Sequence, residues 1–286
     1  MGKYFNVTVK PTITASKQTG AFADADVLFD WTAFDIPKGA NRLISITSLV
    51  RGTNGADQAS GFDFELFFAK SDSNGTAPTT FGDDGAAVDT PGWFNNLIGM
   101  QFFDVSSNNI GSSNDLVYMS MFQSGSRGGG PDLVLQGEAD SGANVGYDTI
   151  YVAGIAQGAF SFSTAVETTA AEDVSALSTA IIGGTSALDN GSGGTAATLN
   201  KFVVGDILHA EDDIILGEIS ALTANTITFR HDGVNQLHGN GNLLYEVPDD
   251  LTAWKIQNGA GAAGDLADGD EIYNIHPITL RFGLEK

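Results

Sequence analysis

The chain contains no cysteine among its 286 residues. Disulfides, thiolate metal ligands and thiol nucleophiles are therefore excluded, and stability must come from burial and association. The sequence also lacks any apolar run of the roughly 18 residues that a membrane-spanning helix needs. Its first residues do not have the basic, apolar and small-residue order of a secretory signal, so we expect synthesis in the cytoplasm of the producing cell.

Basic residues are scarce. Lysine and arginine number 13 against 35 acidic residues, which gives a formal net charge of −22 at pH 7. Such a surface repels the phosphates of nucleic acids and of anionic lipids, so we expect no direct binding to nucleic acid and none to membranes. Most of the acids are aspartates in glycine- and asparagine-rich turns, a composition that suits a soluble surface in salty water.

The motifs of common enzyme classes are missing as well. The sequence has no Gly-x-Ser-x-Gly elbow, no Gly-Lys-Ser/Thr phosphate loop, and no Gly-x-Gly-x-x-Gly between a strand and a helix. Glu65 and Glu138 could be proposed as a glycosidase pair, but no pattern joins them. Glu65 alternates with apolar residues and is predicted to lie on a solvated strand face. We therefore expect that the chain is not an enzyme and has no catalytic residues.

The four histidines, at positions 209, 231, 238 and 276, have no metal-binding spacing. We expect them in turns or exposed. His209 stands beside Glu211, Asp212 and Asp213, which predicts either a solvated hairpin tip or a histidine whose pKa the carboxylates raise. Acidic clusters at residues 83–84, 211–213, 249–250 and 265–271 read by default as charged turns without a cofactor. A structural Ca²⁺ at a loop or subunit contact is the alternative.

What the chain does have is strand-like alternation. Phe5, Val7 and Val9 share one strand face, and comparable apolar runs separated by turn-forming clusters occupy residues 43–50, 62–68, 116–122, 132–135, 148–152 and 159–163. This pattern predicts an all-β chain whose residues 1–163 form a β-sandwich or jelly roll.

One segment departs from this alternation. Thr90 and Pro91 can begin a helix of one or two turns with Trp93, Phe94, Leu97 and Ile98 on one stripe, covering an open end of the sandwich. We expect the side chains of Trp31 and Trp93 in the core.

A second module is predicted from the change of composition near residue 164, where alanine, threonine, serine and glycine become dominant. Residues 202–209, 214–220 and 225–229 read as three short strands joined by tight turns, which is typical of a small β-barrel over residues 164–276. The Gly205-Asp206 signal recurs at Gly269-Asp270. Over residues 170–180 a short helix competes with a barrel strand at 176–182.

The closing stretch has the apolar character of the first half, with Ile278, Leu280 and Phe282 on one face. We expect residues 277–286 to complete the sandwich, which makes residues 164–276 an insertion. Two residues are candidate exposed contacts. Trp254 is predicted at an edge of the barrel, and Arg127 lies in the glycine-rich loop 123–130.

Several stretches resemble virion structural proteins of tailed phages that infect marine cyanobacteria: YFNVTVKPTITAS at residues 4–16, AFADADVLFDWTAFDIPKGA at 21–40, FFAK at 67–70, VGDILHAEDD at 204–213 and GEI at 217–219. The resemblance spans most of the chain. It implies a structural component of a bacteriophage particle, made in the host cytoplasm and located in the virion.

Within that resemblance, the leading hypothesis is a capsid decoration or cement protein. It would be a homo-oligomer in the particle, it would bind other virion proteins such as the major capsid protein, and it would stabilise the head through many repeated contacts. One alternative is a neck, tail or fibre protein of the same particle. Another is a carbohydrate-binding receptor module that uses Trp254.

Overall fold

The computed structural model describes residues 2–18, 20–51, 62–72, 75–89, 92–103, 109–113, 116–122, 131, 133–137, 146–162, 166–168, 172–173, 181–182, 188–189, 202–210, 215–223, 226–230, 243–245, 255–257, 265–266 and 271–286. Over these residues the fold is all-β, as predicted. The two helical segments among them are one turn of α-helix and one short 3-10 helix.

The elements of the first half are β1 (Tyr4–Val9), α1 (Ala15–Gln18), β2 (Ala21–Phe22), β3 (Val27–Pro37), β4 (Asn41–Val50), β5 (Phe64–Lys70), the 3-10 helix (Gly92–Asn96), β6 (Leu97–Phe103), β7 (Asn109–Ser113), β8 (Leu116–Phe122), β9 (Leu133–Leu135), β10 (Tyr147–Ala156) and β11 (Phe160–Ser161). Those that follow are β12 (Val166–Thr168), β13 (Glu172–Asp173), β14 (Ile181–Ile182), β15 (Leu188–Asp189), β16 (Ile207–Ala210), β17 (Ile215–Thr223), β18 (Thr226–Arg230), β19 (Leu243–Tyr245), β20 (Lys255–Gln257), β21 (Asp265–Leu266), β22 (Glu271–Asn274) and β23 (Ile278–Glu285).

Two antiparallel sheets pack face to face. The first has six strands in the order β1-β23-β4-β8-β7, with β9 also paired to β4, and the second has four in the order β3-β10-β5-β6. Their facing side chains form one apolar core, to which β4 and β23 contribute from one sheet and β3, β5 and β10 from the other. This is the layered arrangement of a β-sandwich. Jelly-roll connectivity stays a prediction.

The closing strand lies inside the first sheet. β23 pairs antiparallel with β1 on one side, Val7 opposite Phe282, and with β4 on the other, Ile46 opposite Phe282. Ile278, Leu280 and Phe282 are fully buried in the shared core, as their common face predicted. The last strand of the chain is therefore a central strand of the sandwich. The division of the chain at residues 163 and 164 stays a prediction.

The helix predicted for residues 90–98 is only partly observed. A 3-10 helix covers Gly92–Asn96, and β6 begins at Leu97, because the chain from there pairs with β5. The expected position over an open end of the sandwich is wrong. Trp93 is buried in a second apolar cluster, which contains Phe67, Phe81 and Ala153 on the outer face of the four-stranded sheet. Trp31 is partly buried against the same cluster.

The later strands form a third sheet in the order β14-β18-β17-β16-β22-β12-β15, and every described pairing in it is antiparallel. The strand predicted for residues 202–209 begins only at Ile207. Residues 203–206 form a turn in which Gly205 has a φ of +93° and the Val203 N–H donates to Asp206 Oδ2 at 2.9 Å. Closure of this sheet into a barrel stays a prediction. Where a helix over residues 170–180 competed with a strand at 176–182, Glu172–Asp173 and Ile181–Ile182 are strands, and residues 174–180 lie outside the described residues.

Replacing Phe282 with alanine is expected to lower the free energy of unfolding by about 3–5 kcal/mol. The ring is fully buried, with its centroid 5.0 Å from that of Phe34 and 5.4 Å from that of Phe68, so its loss leaves a cavity between the two sheets. Urea unfolding measures the change. Phe94→Ala is the matched control, because that ring is 58% exposed and should lose less than half as much. Equal losses would contradict the placement of β23.

Candidate functional site

Neither sequence-predicted contact residue can be placed. Trp254 and Arg127 both lie outside the described residues, as do Glu138, His231 and His238. Their roles stay predictions. The described residues bring together two other features: a buried group of polar side chains where the third sheet meets the sandwich, and an exposed apolar strip along β6.

The first feature, which we name the polar junction, comprises Gln18, Arg51, Asp206, His209, Asn274 and His276. Main-chain hydrogen bonds already tie these parts of the chain together. Ile13 N–H donates to Ile275 O at 3.1 Å, and Arg51 N–H donates to Pro277 O at 2.9 Å. The junction forms here because only residues 275–277 separate β22 in the third sheet from β23 in the sandwich.

Arg51 and Asp206 form a bidentate ion pair across the junction. Arg51 Nη1 lies 2.7 Å from Asp206 Oδ1, and Nη2 lies 2.7 Å from Oδ2. Arg51 follows the last residue of β4, whereas Asp206 belongs to the turn before β16. The side chain of Asp206 is only 7% exposed, so water screens this pair less than it would at the surface. Two parallel hydrogen bonds also fix orientation, which a single contact would not.

His209 is neither at a hairpin tip nor more basic than usual, so both expectations for it are wrong. Its strand β16 continues to Ala210 with β17 on one side and β22 on the other, which leaves the imidazole 2% exposed. Burial, followed by the nearby His276, lowers the pKa of His209 from 6.5 to about 4. The sequence could not show this, because the neighbours that bury His209 come from distant parts of the chain.

Gln18 explains part of this preference for neutral imidazole. Its Nε2 donates to Ile13 O at 2.8 Å and to Asn274 O at 3.0 Å, which uses both amide protons. His209 Nε2 lies 3.3 Å from the same nitrogen. A proton on His209 Nε2 would therefore face an N–H donor rather than an acceptor, which opposes protonation in addition to burial.

Only some of the other polar groups in the junction have hydrogen-bond partners. His276 Nδ1 lies 3.0 Å from Pro11 O, and its backbone N–H donates to Asn274 Oδ1 at 2.9 Å. Burial lowers the pKa of His276 too, against the raising effect of that Pro11 carbonyl. Gln18 Oε1 and Asn274 Nδ2 are buried without a hydrogen-bond partner. Such groups reduce stability, so the junction fixes orientation more than it adds to the free energy of folding.

The described carboxylates hold loops in place. Asp84 Oδ2 accepts from the backbone N–H and the hydroxyl of Thr14, at 2.7 and 2.8 Å, just before α1. Asp148 Oδ2 accepts from the N–H groups of Gly39 and Gly137. Within the described ranges, no group of three or more histidines and carboxylates is placed to hold a metal ion.

Glu65 lies on the outer face of the four-stranded sheet, where burial raises its pKa and Gln157 Nε2 donates to it at 3.3 Å.

The helices of the described residues are four and five residues long, too short to cross a membrane.

The second feature, which we name the edge surface, comprises Phe94, Met100 and Phe102. These side chains are 58%, 54% and 42% exposed. β6 is the last strand of its sheet, paired with β5, and residues 100 and 102 point away from the shared core that buries Phe103. Sequence reasoning missed this strand because Leu97 and Ile98 were assigned to a helix. The signal was an uncharged run, LIGMQFF, that is apolar on both faces.

No protein-family model matches the chain, and no curated protein matches its sequence. Comparison with solved structures aligned the chain with the crystal structure of the selenomethionine-labelled mavirus penton protein, at 9% sequence identity over 100% of this chain and 98% of that chain. The TM-score of that alignment is 0.15, which carries no argument about fold or function.

The stability of the protein should depend on pH through His209. The imidazole of the unfolded chain takes up a proton below about pH 6.5, whereas the folded junction does so only below about pH 4. Because the unfolded state binds more protons between these values, this contribution is complete above pH 6.5 and is lost as the pH falls towards 4. The loss should approach about 3 kcal/mol. Urea unfolding across this range should show a shallower slope for His209→Gln, and equal slopes would contradict the prediction.

Arg51→Ala should lower the free energy of unfolding by about 3 kcal/mol, because it leaves the buried Asp206 carboxylate without its guanidinium. Arg51→Lys should recover only part of the loss, since an ammonium cannot form the bidentate pair. Arg281→Ala is the matched control: this arginine is exposed on β23 and should change stability by less than about 1 kcal/mol. Chemical denaturation tests all three variants, and an equal effect of the two alanine variants would contradict the role of the ion pair.

Proposed function

We propose that this chain is a structural protein of a tailed-phage virion, a capsid decoration subunit that holds neighbouring proteins together through surfaces built on its sheets. The observation that carries the proposal is the edge surface, where Met100 and Phe102 on β6 and Phe94 on the preceding 3-10 helix leave apolar area in water. Patches of exposed apolar side chains mark contacts between proteins. The resemblance of residues 4–16 and 21–40 to phage virion proteins supports the same function.

The polar junction is consistent with a building role. The imidazole of His209 is buried beside Gln18 and is neutral near pH 7. The ion pair of Arg51 with Asp206 fixes the third sheet against the sandwich. A decoration subunit needs a fixed shape, because each of its contacts is weak and the particle is stabilised only when many copies fit at once.

The net charge of −22 supports a role on the outside of a particle. A subunit with this charge is repelled by packaged nucleic acid, so its expected partner is the protein shell, with the major capsid protein foremost. Salt at seawater strength shortens the range of the repulsion between copies to about 3–8 Å, which allows them to lie close together.

The test is the position and copy number of this chain in purified virions. Quantitative mass spectrometry should give hundreds of copies per particle, and cryo-electron microscopy should place the two-sheet sandwich on the outside of the head. Six or twelve copies at the neck or tail would instead support a neck, tail or fibre protein and contradict the decoration role. Absence from virions would overturn the proposal.

A further inference from the structure

β6 is an edge strand of the described four-stranded sheet, and its own sequence carries none of the usual charges or prolines that oppose pairing. Exposed sheet edges normally carry charges, proline or bulges, because unpaired main-chain groups recruit other strands. The opposite edge of the same sheet follows this rule. There β3 contains Asp30 and Asp35, ends at Pro37 and pairs with β10 through register shifts near Gly154. β6 contains no charged residue and no proline in its seven residues.

The two edges of the six-stranded sheet also differ from β6, since the edge strand β7 has only five residues. β1 is flanked by Lys3 and Lys10, and lysine at a sheet edge discourages the approach of another strand. Among the described sheet edges of the sandwich, β6 is thus the one that has seven residues, exposed apolar side chains and no charge.

The strand is held firmly in one register. Phe103 is fully buried in the shared core, and Gly99 packs so closely on Leu133 that an added Cβ would lie 2.7 Å from its Cδ2. Met100 and Phe102 alternate with these residues and point outwards, opposite Phe67 and Glu65 of β5. A partner strand would therefore meet an edge strand whose register on β5 is already set.

We propose that β6 binds β6 of a second copy of this chain in antiparallel register, which joins two four-stranded sheets into one of eight strands. With the two-fold axis at Gln101, Met100 of each copy lies opposite Phe102 of the other on the outer face. A thioether against an aromatic ring is a favourable cross-strand pair. The strand is in this sense complementary to itself.

Charge favours a second copy over a charged peptide. β6 offers no counter-charge to a basic or an acidic partner, and the nearest charged side chain on its sheet, Glu65, lies on β5, one strand away from the contact. The protected edge at β3 prevents further addition, so pairing through β6 closes at two copies instead of extending into a fibre. The contact does not require the protein to be a virion component.

Sedimentation equilibrium of the purified full chain tests the pairing. We expect a monomer and dimer in equilibrium at micromolar concentrations, with tighter association as NaCl rises from about 0.02 M to about 0.5 M, because salt screens repulsion between two strongly acidic copies. Phe102→Lys should weaken the dimer at least tenfold by placing two cations in the interface. Val204→Lys is the matched control, since Val204 is 60% exposed in the turn before β16 and does not belong to the four-stranded sheet, and it should leave the association unchanged.

The absence of native cysteine allows a second test that does not depend on weakening the contact. A mixture of the Met100→Cys and Phe102→Cys proteins should form a disulfide-linked dimer faster than either variant alone, because only the mixture brings the two thiols opposite each other. Val204→Cys should cross-link no faster than random collision. A chain that stays monomeric at all salt concentrations, or a dimer that survives Phe102→Lys and forms no mixed disulfide, would overturn the proposal.

Discussion

The fold depends on the insertion of β23 between β1 and β4. Main-chain hydrogen bonds satisfy this strand on both sides, and Ile278, Leu280, Phe282 and Leu284 from it lie fully buried in the core. The sandwich therefore cannot be complete until β23 has paired with both β1 and β4. Pairing over such a sequence separation makes loop closure expensive in entropy and folding slow, so the native state relies on the apolar area that β23 buries.

The polar junction follows from that return. β22 ends at Asn274 in the third sheet and β23 starts at Ile278 in the sandwich, so the two sheets must meet over a few residues. The meeting place buries main-chain groups, and polar side chains are needed to pair with them, as Gln18 does with the carbonyls of Ile13 and Asn274. Burial opposes a charge on His209 in this arrangement, so its imidazole is neutral near pH 7. The neutral imidazole of His209 and the guanidinium of Arg51, which is paired with Asp206, both keep unpaired charge out of this buried meeting place.

The sequence predicted those features that depend on local alternation and turn chemistry. Strand β1, the closing strand and the Gly205-Asp206 turn before β16 belong to this class. It failed where a distant partner decides the outcome. Residues 97–103 have a helix-like apolar stripe at their start, yet pairing with β5 makes them a strand, and His209 has acidic neighbours in sequence, yet its spatial neighbours are Gln18 and Tyr273. Neither partner can be read from a window of the sequence.

The acidic surface and the uncharged strand β6 act together. A net charge of −22 opposes every unspecific approach of two copies, and the opposition is strongest where carboxylates are dense. β6 has no carboxylate, so the repulsion is weakest along this edge, and main-chain pairing supplies attraction there, whereas the longer edge strand β3 carries Asp30 and Asp35. Repulsion between the other, acidic surfaces of two copies disfavours every contact except the one through β6. Main-chain pairing and the apolar side chains then stabilise that contact. For this reason an acidic protein can leave an edge strand uncharged without aggregating.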